Sequence, residues 1–173
     1  LKDIWSSTDT TLPQGKTKKD FDKDSVLERF DYQLKNSNIK TKHTTSPDFS
    51  WSSSDISQIK INYELEKFII LFPFCSPHLT SKKWPYYNDL IDIINEKFKH
   101  QLKIVVAPGP DEIDQAYQIN ALCILDNGKA LDISQLSALI KDSSFVVAND
   151  TGPAHMTAHL GSKGVSLFGA HTT

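Results

Sequence analysis

The chain has 173 residues, 39% of them hydrophobic and 23% charged, and 19 Lys+Arg against 21 Asp+Glu leave a formal net charge of −2. A unit of this size buries about 70% of its unfolded surface, so it needs no disulfide or metal staple. The near-balance of charge excludes a global field that would hold nucleic acid or an anionic membrane, and no stretch approaches the roughly 18–20 apolar residues of a membrane span.

Residues 1–23 carry Thr, Lys, Asp, Pro13 and Gly15 without hydrophobic period and are expected to be irregular. From Asp24 to Asn36, Val26, Leu27, Phe30 and Leu34 recur at helical spacing behind a Ser25/Glu28 capping box, which predicts one amphipathic helix. Half of residues 41–57 are Ser or Thr, interrupted by Pro47, with Trp51 as the large anchor; this reads as a linker laid over a surface. The chain then changes character near residue 64, and six of its seven glycines fall between Gly109 and Gly169. Short apolar runs at 67–72, 102–107, 121–125, 144–148 and 164–168 predict strands, with helices over 85–99, 111–119, 133–141 and 153–160 between them. Strands that are apolar throughout belong to a sheet covered on both faces, and intervening helices make them parallel with right-handed crossovers. The expected fold is α/β, a doubly wound parallel sheet. Such sheets bind ligands at the carboxyl ends of their strands.

Four loops at those ends carry candidate chemistry. After the fourth strand, Asn149-Asp150-Thr151-Gly152-Pro153-Ala154-His155 opens a helix. Its free N–H groups, the Thr151 hydroxyl and the His155 imidazole suit a phosphate, and a capped helix whose His155 packs under the sheet edge accounts for the same residues equally well. After the first strand, Ser81-Lys82-Lys83-Trp84-Pro85 offers a lysine able to reach a phosphate on that helix start; two lysines beside a core tryptophan are more often simply solvated. After the second strand, Pro108-Gly109-Pro110-Asp111-Glu112 brings a carboxylate suited to ribose hydroxyls, although helix starts favour Asp and Glu for dipole reasons alone. After the third, Asp126 to Leu131 is a turn whose apolar end is either a base-stacking wall or only a loop.

The sequence holds no GxGxxG, no GxxxxGK[ST] and no GxSxG, and its six histidines do not group with carboxylates at metal spacing, so neither a metal nor a dinucleotide cofactor is expected. Cys75 and Cys123 lie in separate apolar runs without CxxC spacing, which predicts buried, reduced thiols in a reducing cytoplasm. The chain starts at Leu1 and its one methionine is Met156, which suggests a piece of a longer protein.

Taken in order, these loops resemble the ADP-heptose:lipopolysaccharide heptosyltransferase family, glycosyltransferase family 9. FVVANDTGPAHMTAHLGSKGVSLFGAHT is similar to its apolar strand, D-T-G-x-x-H, Ala/Gly-rich helix and strand ending in F-G-x-T; S-K-K-W-P resembles K-x-W-P, and Pro-Gly-Pro-Asp-Glu resembles G-x-x-x-E. The resemblance covers roughly residues 24–173, with Lys163-Gly164 where the family has Gly-x-Pro.

The resemblance implies a Rossmann-like donor domain at 65–173, preceded at 1–64 by part of an acceptor-side domain and a linker. It implies that Lys82 neutralises a diphosphate, Glu112 holds the ribose, Leu131 flanks adenine, and Thr151, Gly152 and His155 line the phosphates. Asp150, whose charge would repel phosphate, is expected to cap the loop. The implied reaction is inverting transfer from an ADP-sugar, a substrate rather than a cofactor, to a lipopolysaccharide-core or other glycan acceptor. It would take place in the cytoplasm at the inner face of the membrane, with peripheral contact at most, no nucleic acid partner, and a general base from the N-terminal domain. Two other readings stay open: a nucleotide-binding or regulatory module without transferase activity, and a structural remnant that binds nothing.

Overall fold

The computed structural model describes residues 12–42, 44 and 49–169. The expected irregular stretch 1–11, Pro47 of the Ser/Thr-rich stretch, and Ala170 to Thr173 at the end of the F-G-x-T signature lie outside those residues. The chain divides into two compact units, one up to residue 48 and one from Phe49 onward.

The first unit holds helices α1 (Lys18–Phe21) and α2 (Val26–Asn36). The irregularity expected through residue 23 therefore gives way to a helical turn: the Thr17 hydroxyl accepts from Asp20 N at 3.2 Å, and Phe21 is buried with its ring edge-on to Tyr32 at 5.6 Å. The Ser25/Glu28 capping box of α2 forms in both directions. Its apolar stripe stays largely open, with Val26 and Phe30 about half exposed.

The second unit runs α3 (Ser57–Asn62), β1 (Phe68–Phe72), α4 (Tyr87–Phe98), β2 (Lys103–Val106), α5 (Ile113–Ala116), β3 (Leu122–Cys123), α6 (Ile133–Asp142), β4 (Phe145–Asn149), α7 (Gly152–His159) and β5 (Gly164–Leu167). The five strands form one sheet in the order β3-β2-β1-β4-β5, and every pairing is parallel. At its centre Ile70 pairs with Val105 on one side and Val146 on the other. Successive residues of β1 feed opposite cores. Phe68, Ile70 and Phe72 join Ile59, Leu139 and Ile140 under α3 and α6, while Ile69 and Leu71 join Tyr87, Ile91 and Ala116 under α4 and α5. This two-sided burial is why β1 reads as a continuous apolar run, each side chain contributing about 1.5–3 kcal/mol.

Two expectations about the connection to this sheet are corrected. Trp51 is 79% exposed and is not the anchor of the Ser/Thr-rich stretch, whereas Ile56, Ile59 and Leu65 are buried in the core, so the end of the expected linker packs on the second unit. The helix expected over 111–119 breaks into a 3₁₀ turn, Pro110–Glu112, and the short α5, because Asn88 of α4 takes up Gln118 O and Asn120 N and holds that stretch open. No helix among the described residues is long and apolar enough to cross a membrane.

Candidate functional site

Because β1 lies between β2 and β4, the chain leaves β1 to one side and β4 to the other, and the crevice between their carboxyl ends is the topological switch point. A cleft of about 300 Å³ opens there, walled by Phe74 and Ser76 after β1, Gly109 and Glu112 after β2, and Thr151 and Gly152 at the start of α7, with Leu131 at its edge. Four of the expected residues, Glu112, Leu131, Thr151 and Gly152, thus face one space. Cys75 also lines it, half-buried rather than buried as expected, its Sγ donating to Leu79 O at 3.3 Å; Cys123 is likewise a free, half-buried thiol, pushed up in pKa by desolvation.

Each wall is held by local chemistry. Glu112 Oε2 accepts from Gly109 N at 2.8 Å, closing the 3₁₀ turn and leaving Oε1 without a partner among the described residues. Thr151 is the extended N-cap of α7, with no side-chain cap; its hydroxyl donates to Asn149 O at 3.2 Å. A Cβ added at Gly152 would meet nothing within 4 Å, so the first turn of α7 presents open backbone, the arrangement that attracts anions.

Lys82 and His155 meet at Asp150 rather than among the cleft's wall residues. Lys82 Nζ lies 2.7 Å from Asp150 Oδ2 and 3.0 Å from the Asp150 carbonyl, with both side chains largely buried. His155 Nε2 is 3.8 Å from Asp150 Oδ1, and the exposed imidazole also borders a separate apolar hollow beside Phe49, Met156 and His159. Asp150, expected as a loop cap, therefore engages Lys82 through its carboxylate. Lys83 turns elsewhere, its Nζ 3.4 Å from Gln115 Oε1.

A sequence profile described as glycosyltransferase family 9 (heptosyltransferase) matches residues 12–173. The chain belongs to this family. Its fold is similar to those of E. coli heptosyltransferase WaaC with ADP-2-deoxy-2-fluoro heptose (TM-score 0.56, 18% identity, over 83% of this chain and 45% of that one) and E. coli ADP-heptose lps heptosyltransferase II (0.51, 17%, 64% and 36%). It is likewise similar to a glycosyl transferase family 9 protein from Veillonella parvula (0.60, 16%, 83% and 43%). The chain spans less than half the length of each of these structures. No curated protein sequence matches it.

In this family 9 chain one residue of the site escaped the sequence reading. Asn149, fully buried at the end of β4, donates from Nδ2 to Pro73 O at 2.9 Å and accepts at Oδ1 from Trp84 N at 3.3 Å and Tyr87 Oη at 3.1 Å. Burial pushes the Tyr87 phenol well above its ordinary pKa, so it stays a proton donor. The one available signal was a buried-strand run ending in an amide rather than an apolar residue. Among the described residues no group of three or more His, Cys, Asp or Glu could hold a metal ion.

Proposed function

We propose that residues 65–173 form the donor-binding domain of a glycosyltransferase that moves heptose, or a related sugar, from an ADP-sugar to a lipopolysaccharide-core acceptor with inversion, and that residues 1–64 belong to the acceptor side and the linker. The observation that carries this reading is the cleft at the switch point, where Glu112, Leu131, Thr151 and Gly152 converge beside the Lys82–Asp150 pair. The E. coli WaaC structures with ADP and with a fluorinated ADP-heptose support the nucleotide class.

On this reading the ribose diol donates to the open Oε1 of Glu112, and adenine lies against Leu131. The diphosphate meets the Thr151 hydroxyl, the Gly152 N–H and His155, and Lys82 turns from Asp150 to the phosphate oxygens. An acceptor hydroxyl attacks the anomeric carbon from the face opposite the diphosphate and gives its proton to a carboxylate of the acceptor-side domain. The bond from the anomeric carbon to the diphosphate oxygen breaks, and the charge arriving on ADP is stabilised by Lys82 and the start of α7. The protein works in the cytoplasm, at the inner face of the membrane where such an acceptor is presented.

Titration calorimetry with ADP, AMP and adenosine tests the donor part. Binding that strengthens with each added phosphate is expected; no ADP binding, or equal affinity for all three, overturns it.

A further inference from the structure

Lys82 and Asp150 are 68 residues apart and leave different strands, yet their charged groups touch. Lys82 ends a 3₁₀ turn, Pro77–Lys82, whose helical geometry is interrupted at Leu79. One buried side chain spans the two loops. Asn149 directly precedes Asp150, and its polar atoms reach Pro73 at the beginning of the loop after β1, Trp84 two residues beyond Lys82, and Tyr87 at the first position of α4. The loop that carries Lys82 is thereby pinned on both sides of it to the residue before Asp150. Tyr87 extends the clasp, its hydroxyl proton shared between Asn149 Oδ1 and the Phe72 carbonyl at 3.2 Å.

We infer that Asn149, braced by Tyr87, is a positioning residue of the donor site: it fixes Lys82 against the Asp150-Thr151-Gly152 edge. The inference rests on the donor reading above, in which that edge receives the diphosphate. A residue that only fills the core changes stability and weakens all ligands alike. A residue that sets the place of Lys82 changes affinity only for ligands that Lys82 touches.

The experiment measures ADP and adenosine affinity by titration calorimetry for Tyr87→Phe and Asn149→Ser, each alone and combined with Lys82→Ala. Tyr87→Phe removes one oxygen and keeps the ring contact with Trp84 (5.2 Å between centroids), so it serves even if the Asn149 variant does not fold. Each single variant is expected to lose roughly 3–10-fold in ADP affinity, the range for one or two lost hydrogen bonds, and to keep adenosine affinity within about twofold. In the Lys82→Ala background the same substitutions are expected to leave ADP affinity within about twofold. A parallel loss for ADP and adenosine, or an undiminished loss without Lys82, overturns the inference. So does Lys82→Ala weakening ADP while neither clasp variant does, an outcome that leaves the donor reading standing. If Lys82→Ala alone does not weaken ADP, the diphosphate role of Lys82 falls and the inference falls with it.

Discussion

Lys82 Nζ sits 2.7 Å from Asp150 Oδ2 with both side chains at least four-fifths buried, so the cation expected to meet a diphosphate already has a counter-charge. Lys82→Ala should weaken ADP roughly 10–150-fold by removing a charge-assisted contact, and should also destabilise the fold by about 1–3 kcal/mol because the Asp150 carboxylate loses a partner. Lys83→Ala, at a long contact with Gln115, should do neither. Asp150→Asn should raise ADP affinity, and the gain should grow as salt is lowered. Calorimetry at two ionic strengths checks all three.

Two glycines separate ligand approach from packing. At Gly152 an added Cβ enters open space, so Gly152→Val should keep the melting temperature while weakening ADP and AMP and sparing adenosine. At Gly164 a Cβ would lie 2.8 Å from the Val146 carbonyl and 3.0 Å from Thr157 Cγ2, so Gly164→Ala should cost about 1–3 kcal/mol with ADP affinity kept in the folded protein. Thermal melts paired with titrations distinguish the two.

The first unit should show an acid-sensitive contact at Asp31. The Lys35 ammonium, then the Thr41 and Thr44 hydroxyls at 2.7 and 2.8 Å, hold its pKa down to about 2 from 3.8. A depressed carboxylate stabilises the fold fully above 3.8 and loses that contribution as pH falls through about 2. Asp31→Ala should therefore melt below the parent at pH 7, and the difference should close between those two values in a series of melts.

Catalysis should require more than these residues. The carboxylate lining the cleft, Glu112, is bound to Gly109 N; on the donor reading it takes the ribose, and Asp150, beside Lys82, lies at the diphosphate rather than the acceptor, so neither is placed to deprotonate an acceptor. The 173-residue chain should bind ADP and transfer no sugar from ADP-heptose to a lipopolysaccharide-core acceptor. Turnover in that assay would assign the base to a residue within it.

Much of this architecture was legible because burial on both faces leaves a plain mark: β1, β2 and β4 each lie within one or two residues of the apolar runs that predicted them. β3 was overestimated at 121–125 because Ile124 and Leu125 are buried without both being laddered. Tyr63 takes over Leu125, donating to its carbonyl at 3.0 Å and accepting from its N–H at 3.1 Å, a substitution by a side chain 62 residues away that no local pattern records. At the site, the residues that face the cleft were found through strand ends and helix starts, which are local signals. The Lys82–Asp150 pairing and the Asn149 clasp were not, since both depend on which loops the strand order brings together. Trp51 misled for a related reason: size suggests an anchor, but a neighbouring Ile56 fills the core and leaves the indole outside.

The pairing of β1 with β4 has a consequence for how the molecule is made. The bond from Asn149 to the Pro73 carbonyl closes a loop of 76 residues, so β1, β2 and β3 emerge from a ribosome well before β4 exists to complete the crevice. In that interval β1 presents an unpaired edge whose residues, Phe68 to Phe72, are all apolar. Such an edge pairs readily with any extended chain nearby. A nascent chain stalled before Phe145 should therefore be caught by a chaperone or aggregate, and synonymous changes that slow translation between β3 and β4 should lower the yield of soluble protein without altering a single residue.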